Sequence, residues 1–122
     1  MRPFEDWFKE VLSALDQPKG IRNWTREDQQ KSSEFTARTY RSIPREEAAE
    51  FVWAGPNHPE ELIICTPLLG GRWKGVGRKG LMDIYPKWWD YRNGKLNRRE
   101  LGGPTPYEIS ILKEFERLME EQ

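Results

Sequence analysis

The stretch at residues 61–68 reads ELIICTPL, and it predicts the sheet around which the rest of the chain is arranged. Its centre, residues 62–65, is an apolar run that is too short to cross a membrane and suits a buried strand. Proline donates no backbone hydrogen bond to a neighbouring strand. Pro67 therefore predicts either a sheet edge or the end of this strand.

Further strands are predicted on both sides of this stretch. Residues 35–43 alternate between apolar and polar side chains, with Phe35, Ala37, Thr39 and Ile43 on one side. Residues 44–54 are ambiguous, because they combine a helix-like start with a pattern that also suits one arm of a hairpin closed by residues 56–59.

The second half of the predicted sheet follows a glycine-rich segment. Five glycines between residues 70 and 80 predict turns, and residues 81–85 are predicted as a short strand. Residues 88–92 and 95–99 flank Asn93-Gly94, a dipeptide that tolerates the positive φ values of a type I′ turn. This pattern predicts a β-hairpin over residues 88–99.

An amphipathic helix is predicted at each end of the chain. Residues 3–16 place apolar side chains at helical spacing, and residues 106–120 repeat that pattern. Thr105, Pro106 and Glu108 provide the start signals of the second helix, as N-cap, first helical residue and capping-box partner. We therefore expect one α+β domain over residues 1–122, with an antiparallel sheet of about four to six strands and a helix at each terminus.

Charge is distributed unevenly along the chain, although the net formal charge is zero. Residues 62–99 carry nine basic and two acidic side chains, whereas the segments on either side are acidic. The chain has one cysteine, so an internal disulfide framework is excluded. The N-terminal segment carries charges throughout, which is atypical of a secretion signal, and we expect a cytoplasmic protein without a membrane span.

Four features suggest chemistry only weakly. Residues 75–80 spell GxGxxG, but a Gly-rich turn between strands explains this motif better than a dinucleotide site does. His58 is the only histidine and lies in a predicted turn, while Cys65 lies inside the apolar strand. Asp83 resembles one acid of a metal-dependent nuclease site, yet the next predicted strand lacks the second acid and lysine such a site needs. We therefore predict no cofactor, no metal and no catalytic residue.

A basic and aromatic constellation is the strongest functional signal. Cations attract phosphate groups, and exposed aromatic rings stack on unpaired bases. Two alternatives remain: the rings belong to the core with solvated cations between them, or the cations neutralise acidic helices of the same molecule. The proposed nucleic-acid-binding residues are Arg72, Trp73, Lys74, Arg78, Lys79, Lys87, Trp88, Tyr91, Arg92, Lys95, Arg98 and Arg99.

These observations favour a small non-enzymatic protein that binds an anionic partner, with nucleic acid first, through a basic and aromatic face of its central sheet. The alternative is a protein-interaction or assembly component, a subunit or inhibitor of a larger complex, that uses the same strip, because Trp and Arg also dominate protein interfaces. An enzyme ranks third, since few polar groups are arranged for acid–base chemistry.

Overall fold

The structure, a computed structural model, describes residues 1–26, 33–48, 59–68 and 70–120. Its strands form one antiparallel sheet, in which they lie side by side in chain order. The expected α+β class is confirmed, with a four-stranded sheet and a helix near each end. The strands are β1 (Lys19–Arg22), β2 (Glu34–Thr39), β3 (Ile63–Pro67) and β4 (Lys74–Val76).

One face of the sheet is buried beneath the helices. Ile21 of β1 lies opposite Phe35 of β2, and Ala37 of β2 lies opposite Cys65 of β3. Residues paired across antiparallel strands point to the same face. All four side chains are buried in the main hydrophobic core. Of the strand predicted over residues 35–43, the part up to Thr39 is confirmed, with Phe35 and Ala37 facing this core. The rest is wrong, because a 3-10 turn follows Thr39 and Ile43 belongs to the cluster on the opposite face.

The opposite face carries a smaller hydrophobic cluster. Ile43, Leu62 and Ile64 are buried there, and Tyr40 and Trp73 pack against them as partly buried side chains. β3 lies between β2 and β4, so Pro67 marks the end of a strand rather than the edge of the sheet.

The first helix, α1 (Phe4–Ala14), confirms the N-terminal prediction. Trp7, Phe8, Val11 and Leu12 recur at helical spacing and are buried. The indole Nε1 of Trp7 donates a hydrogen bond to the Phe115 carbonyl oxygen at 2.9 Å, which ties α1 to the C-terminal segment. Among the described residues, no helix has the length and apolar composition needed to cross a membrane.

The ambiguous segment 44–54 is helical where the structure describes it. A short helix, α2 (Arg45–Ala48), follows a 3-10 turn at Tyr40–Ser42. Residues 49–54, and the hairpin considered through residues 56–59, fall outside the described residues apart from Pro59. That proline begins a second 3-10 turn, Pro59–Glu61.

The strand predicted at residues 81–85 is wrong, because helix α3 (Arg78–Ile84) and a 3-10 turn (Tyr85–Lys87) occupy this segment. Leu81, Ile84, Tyr85 and Trp88 are all buried, and they recur at the three- and four-residue intervals of a helix. The glycine-rich segment before them suggested a hairpin, but burial of this helical face against the core selects the helix.

The predicted hairpin over residues 88–99 is also wrong. Helix α4 (Trp88–Arg92) is followed by a loop and a 3-10 turn at Arg98–Leu101. Gly94 has a φ of 81°, so its positive φ was expected correctly but serves a different motif. Its amide donates to the Tyr91 carbonyl, and the Lys95 amide donates to the Asp90 carbonyl at 2.8 Å. These two bonds form a Schellman motif, which ends a helix.

The last helix, α5 (Pro106–Glu114), begins with the predicted capping box. Oε2 of Glu108 accepts a hydrogen bond from the Thr105 amide at 3.1 Å. The helix ends at Glu114, with Phe115 as its C-cap. A 3-10 turn (Glu116–Met119) follows, so the segment predicted as one helix over 106–120 is α-helical only in its first part. Ser110 anchors α5 to the segment that follows β1, because its hydroxyl accepts a hydrogen bond from the Trp24 amide at 2.8 Å.

Candidate functional site

The proposed nucleic-acid-binding residues do not form a sheet face. Lys74 is the only one of the twelve in a strand. Arg72 and Trp73 precede β4, and the other nine lie on α3, α4, the loop after α4 and the neighbouring 3-10 turns. The location expected from the sequence is therefore corrected, because the segment that holds most of these residues is helical.

Two of the proposed stacking residues belong to the core. Trp88 and Tyr91 are fully buried, so neither ring presents a face to a base. The indole Nε1 of Trp88 donates to Oε2 of Glu116 at 3.1 Å. Trp73 is partly buried against the cluster on the other sheet face. The interpretation of these rings as core, left open by the sequence, applies to Trp88 and Tyr91.

Two of the proposed cations are neutralised within the molecule. The Arg78 guanidinium pairs with Glu5 of α1 and lies 5.6 Å from the centre of the Phe4 ring. Arg92 Nε lies 3.0 Å from Oε2 of Glu116, and its guanidinium carbon lies 5.0 Å from the centre of the Trp24 ring. Both arginines therefore join segments of this chain, as the second alternative expected.

Glu116 is the centre of a small buried network. Its side chain is 13% exposed and also pairs with Lys113 at 3.2 Å. Burial alone raises the pKa of Glu116, but hydrogen bonds from Arg92, Trp88 and Lys113 outweigh it and lower the pKa below its usual value. Glu116 therefore stays ionised and holds α4 and α5 together.

Three further cations are engaged more loosely. Lys79 Nζ lies 3.6 Å from Asp83 on the same helix, and both side chains are exposed. Lys87 Nζ donates to the Glu100 carbonyl at 3.3 Å, and Arg98 donates to the Pro104 carbonyl at 3.0 Å. The carbonyl contacts leave the charge of Lys87 and Arg98 unneutralised.

Four of the nine proposed cations are exposed, and their side chains form neither an ion pair nor a hydrogen bond within the described part of the chain. Arg72 and Lys74 lie at β4, whereas Lys95 and Arg99 lie after α4. No described carboxylate comes within 4.0 Å of their charged nitrogens. We call these four residues the exposed cation set. Of the cations predicted to bind nucleic acid, these four are the ones that remain exposed and without a partner within the described residues.

The weaker chemical signals gain no support. Residues 75–80 do connect a strand to a helix, through Gly77, but β3 and β4 are antiparallel and Gly80 lies inside α3, so no βαβ dinucleotide unit is present among the described residues. Asp83 is on a helix, not on the strand expected for a nuclease acid. In the described ranges, no group of three or more His, Cys, Asp or Glu residues is placed to hold a metal ion.

Cys65 lies within the described residues, whereas His58 does not. Cys65 is buried in β3, and burial raises the pKa of its thiol well above the usual value, which keeps it protonated. The structure therefore does not test whether His58 pairs with Cys65.

A polar cleft was missed by the sequence interpretation. It has a volume of about 510 Å³ and lies between α3 and the turn that leads into α5. We call it the α3–α5 cleft. It is lined by Gly80, Asp83, Ile84, Lys87, Leu101, Gly102, Gly103, Pro104 and Glu108.

Glu108 is the most perturbed acid of this cleft. Burial raises the pKa of Glu108 above its usual value, although the Thr105 amide and the positive charge of Arg98 act in the opposite direction. A Cβ atom built on Gly80 would lie 3.1 Å from Oε1 of Glu108, so the carboxylate packs directly against α3 at this glycine. The motif of residues 75–80 contained this glycine, but no sequence signal placed it beside Glu108.

Comparison with known proteins provides no relative for this chain. No protein-family model matches the sequence, and neither the curated proteins nor the solved structures contain a match.

Proposed function

We propose that this chain is a non-enzymatic binding protein that contacts the phosphate backbone of a nucleic acid through the exposed cation set. The observation that carries the proposal is the exposure of Arg72, Lys74, Lys95 and Arg99 without an ion-pair partner in the described residues. Such cations release condensed counterions when they bind phosphates, which drives association at low salt.

Burial of the aromatic rings changes the expected mode of binding. Trp88 and Tyr91 are inaccessible and Trp73 is partly buried, so contact with the backbone replaces most of the base stacking inferred from the sequence. Backbone contacts carry no base identity. We therefore expect little sequence preference and no strong preference for single strands over duplexes.

The test is a polarisation titration of labelled duplex and single-stranded oligonucleotides at several salt concentrations. Four phosphate contacts predict a slope of about −3.6 in a plot of log affinity against log salt for a duplex. Binding then weakens about 100-fold between about 50 and 200 mM salt. Removal of two contacts reduces the magnitude of the slope by about 1.8.

Matched variants separate local contacts from overall charge. The pairs R72Q/K74Q and K95Q/R99Q each remove two members of the exposed cation set. The control pair K9Q/R117Q removes the same charge from exposed positions on α1 and the C-terminal 3-10 turn. The proposal requires a reduced slope in the first two variants and an unchanged slope in the control. Absence of binding by the parent at about 50 mM salt, or equal slopes in all three variants, would overturn it.

A protein partner is the second candidate, and exposed apolar surface favours it. Leu68 is 57% exposed at the end of β3. It lines a groove of about 380 Å³ together with Phe35, Pro67 and Tyr107. Exposed leucine beside aromatic rings is typical surface for a protein contact. A pull-down whose yield is insensitive to salt and is lost in L68E would support this alternative.

A further inference from the structure

The α3–α5 cleft offers a site that is separate from the exposed cation set. Its volume of about 510 Å³ falls in the range of small-molecule pockets. None of the four residues of the exposed cation set lines it. Ligand binding in this cleft can therefore be tested separately from nucleic-acid binding by the exposed cation set.

Glu108 supplies an acceptor that the protein only partly uses. Oε2 accepts from the Thr105 amide, and this is the one hydrogen bond to the carboxylate from the described residues. Oε1 lies against Gly80, one of the residues that line the cleft. Burial of the carboxylate outweighs the stabilisation by the Thr105 amide and by Arg98. A cationic donor in the cleft would supply the missing compensation.

Lys87 supplies the complementary donor. Its ammonium group has three hydrogens, and the contact with the Glu100 carbonyl at 3.3 Å uses one of them. No carboxylate of the described residues pairs with it. Lys87 and Glu108 thus place charges of opposite sign in one cleft, and neither forms an ion pair within the described residues. Asp83 adds a second, exposed carboxylate.

The remaining lining combines apolar carbon with glycine backbone. Ile84, Leu101 and Pro104 also line the cleft, but all three are buried and expose only a small apolar patch to it. Gly102 and Gly103 have φ values of 91° and 73°, and a Cβ built on either one meets no atom within 4 Å. The wall therefore presents mainly polar groups and accessible glycine backbone, with one small apolar patch.

We propose that the α3–α5 cleft binds a small zwitterion of the α-amino-acid class with an apolar side chain. The ligand ammonium pairs with Oε1 of Glu108 and with Asp83, and the ligand carboxylate pairs with Lys87. The apolar side chain of the ligand packs against Ile84, Leu101 and Pro104. Opposite charges in one ligand match the opposite charges of the cleft, and desolvation on binding strengthens both pairs.

The test uses leucine and two fragments of leucine as probes. Isoamylamine retains the ammonium and the side chain but lacks the carboxylate, and 4-methylpentanoate retains the carboxylate but lacks the ammonium. Amide chemical shifts of Gly80, Gly102 and Gly103 in ¹⁵N-labelled protein report occupancy, because all three glycines line the cleft. The proposal expects saturable shifts at these amides with leucine and at least about tenfold weaker binding of each fragment.

Two variants test the assigned contacts. E108Q removes the charge but keeps an oxygen for the Thr105 amide, since glutamine also serves in a capping box. K87Q removes the other charge. The matched controls are E114Q, on the exposed side of α5, and K9Q, on α1. We expect about tenfold weaker leucine binding in E108Q and K87Q, and parental binding in both controls.

Each other outcome overturns the proposal. Isoamylamine that binds as tightly as leucine would show that Lys87 contributes nothing, and 4-methylpentanoate that does so would exclude the role of Glu108. Saturation that leaves the three glycine amides unmoved would place the ligand elsewhere. An absence of shifts with leucine at about 20 mM would exclude a site of useful affinity.

Discussion

Substitution of Glu116 by glutamine is expected to destabilise the fold, because this carboxylate joins α4 to α5. Oε2 of Glu116 accepts hydrogen bonds from Trp88 Nε1 at 3.1 Å and from Arg92 Nε at 3.0 Å. Oε1 forms an ion pair with Lys113 Nζ at 3.2 Å. Glutamine presents only one oxygen. The glutamine NH₂ group takes the position of one carboxylate oxygen and points at a hydrogen-bond donor there. At least one contact therefore becomes repulsive.

The magnitude follows from these contacts. Hydrogen bonds to a charged group contribute about 1.5–3 kcal/mol each, whereas neutral ones contribute about 0.5–1.5 kcal/mol. Loss of about 1 kcal/mol per contact, with a discount for the more exposed Lys113, gives a decrease of about 2–3 kcal/mol in the free energy of unfolding. For a chain of this size, that decrease lowers the urea midpoint by about 1 M.

The effect should depend on pH in a defined direction. Because the folded pKa of Glu116 is lowered, its charge stabilises the protein above the unfolded pKa. That contribution is lost as the pH falls through the folded pKa. The difference between parent and E116Q should therefore be constant from about pH 5 to pH 8 and should shrink below about pH 4.

Urea denaturation followed by tryptophan fluorescence measures both quantities. The control is E114Q, at the last residue of α5 and two residues before Glu116. The exposed ion pair of Glu114 with Lys19 spans 3.5 Å and should contribute less than about 0.5 kcal/mol. A double-mutant cycle with R92M isolates the coupling between Arg92 and Glu116. An E116Q variant as stable as the parent at pH 7, or a loss that persists unchanged near pH 3, would refute the network as described.

Two further changes test local backbone motifs. Gly94→Val should lower the free energy of unfolding by about 1–2 kcal/mol, because Gly94 has a φ of 81° that a β-branched residue resists. G94N should lose less stability, since asparagine also occurs at this position of a helix end. Equal losses for the two variants in urea titrations would contradict the Schellman motif. Thr105→Ala should cost about 1 kcal/mol through the lost N-cap, measured by thermal unfolding, whereas T105S should retain the parental melting temperature.

Local sequence patterns predicted the structure correctly where a segment's conformation depends mainly on its own residues. The capping box at residues 105–108 and the helical spacing of α1 each lie within a few turns. The alternation in β2 likewise requires only that one face be buried. These patterns also determined the α+β class, because two amphipathic helices need an apolar sheet face to cover.

The segment from residue 78 to 101 shows where local signals conflict. Asn93-Gly94 suits the turn of a hairpin and the end of a helix equally well, since both need a positive φ at glycine. Burial of Trp88 and Tyr91 in the core is what selects the helix. That choice moved two predicted stacking rings into the interior, so the error in secondary structure became an error in the candidate site.

The sequence alone was sufficient for the fold class, the starts of α1 and α5, and the concentration of positive charge in residues 62–99. Which of those charges remain available depends on the tertiary structure. Arg78 pairs with Glu5, and Arg92 pairs with Glu116, across separations that no local pattern encodes. The α3–α5 cleft also depends on a contact between residues distant in the sequence, because Gly80 packs against Glu108 there. Such contacts depend on how helices pack, and packing is set by the whole core rather than by neighbouring residues.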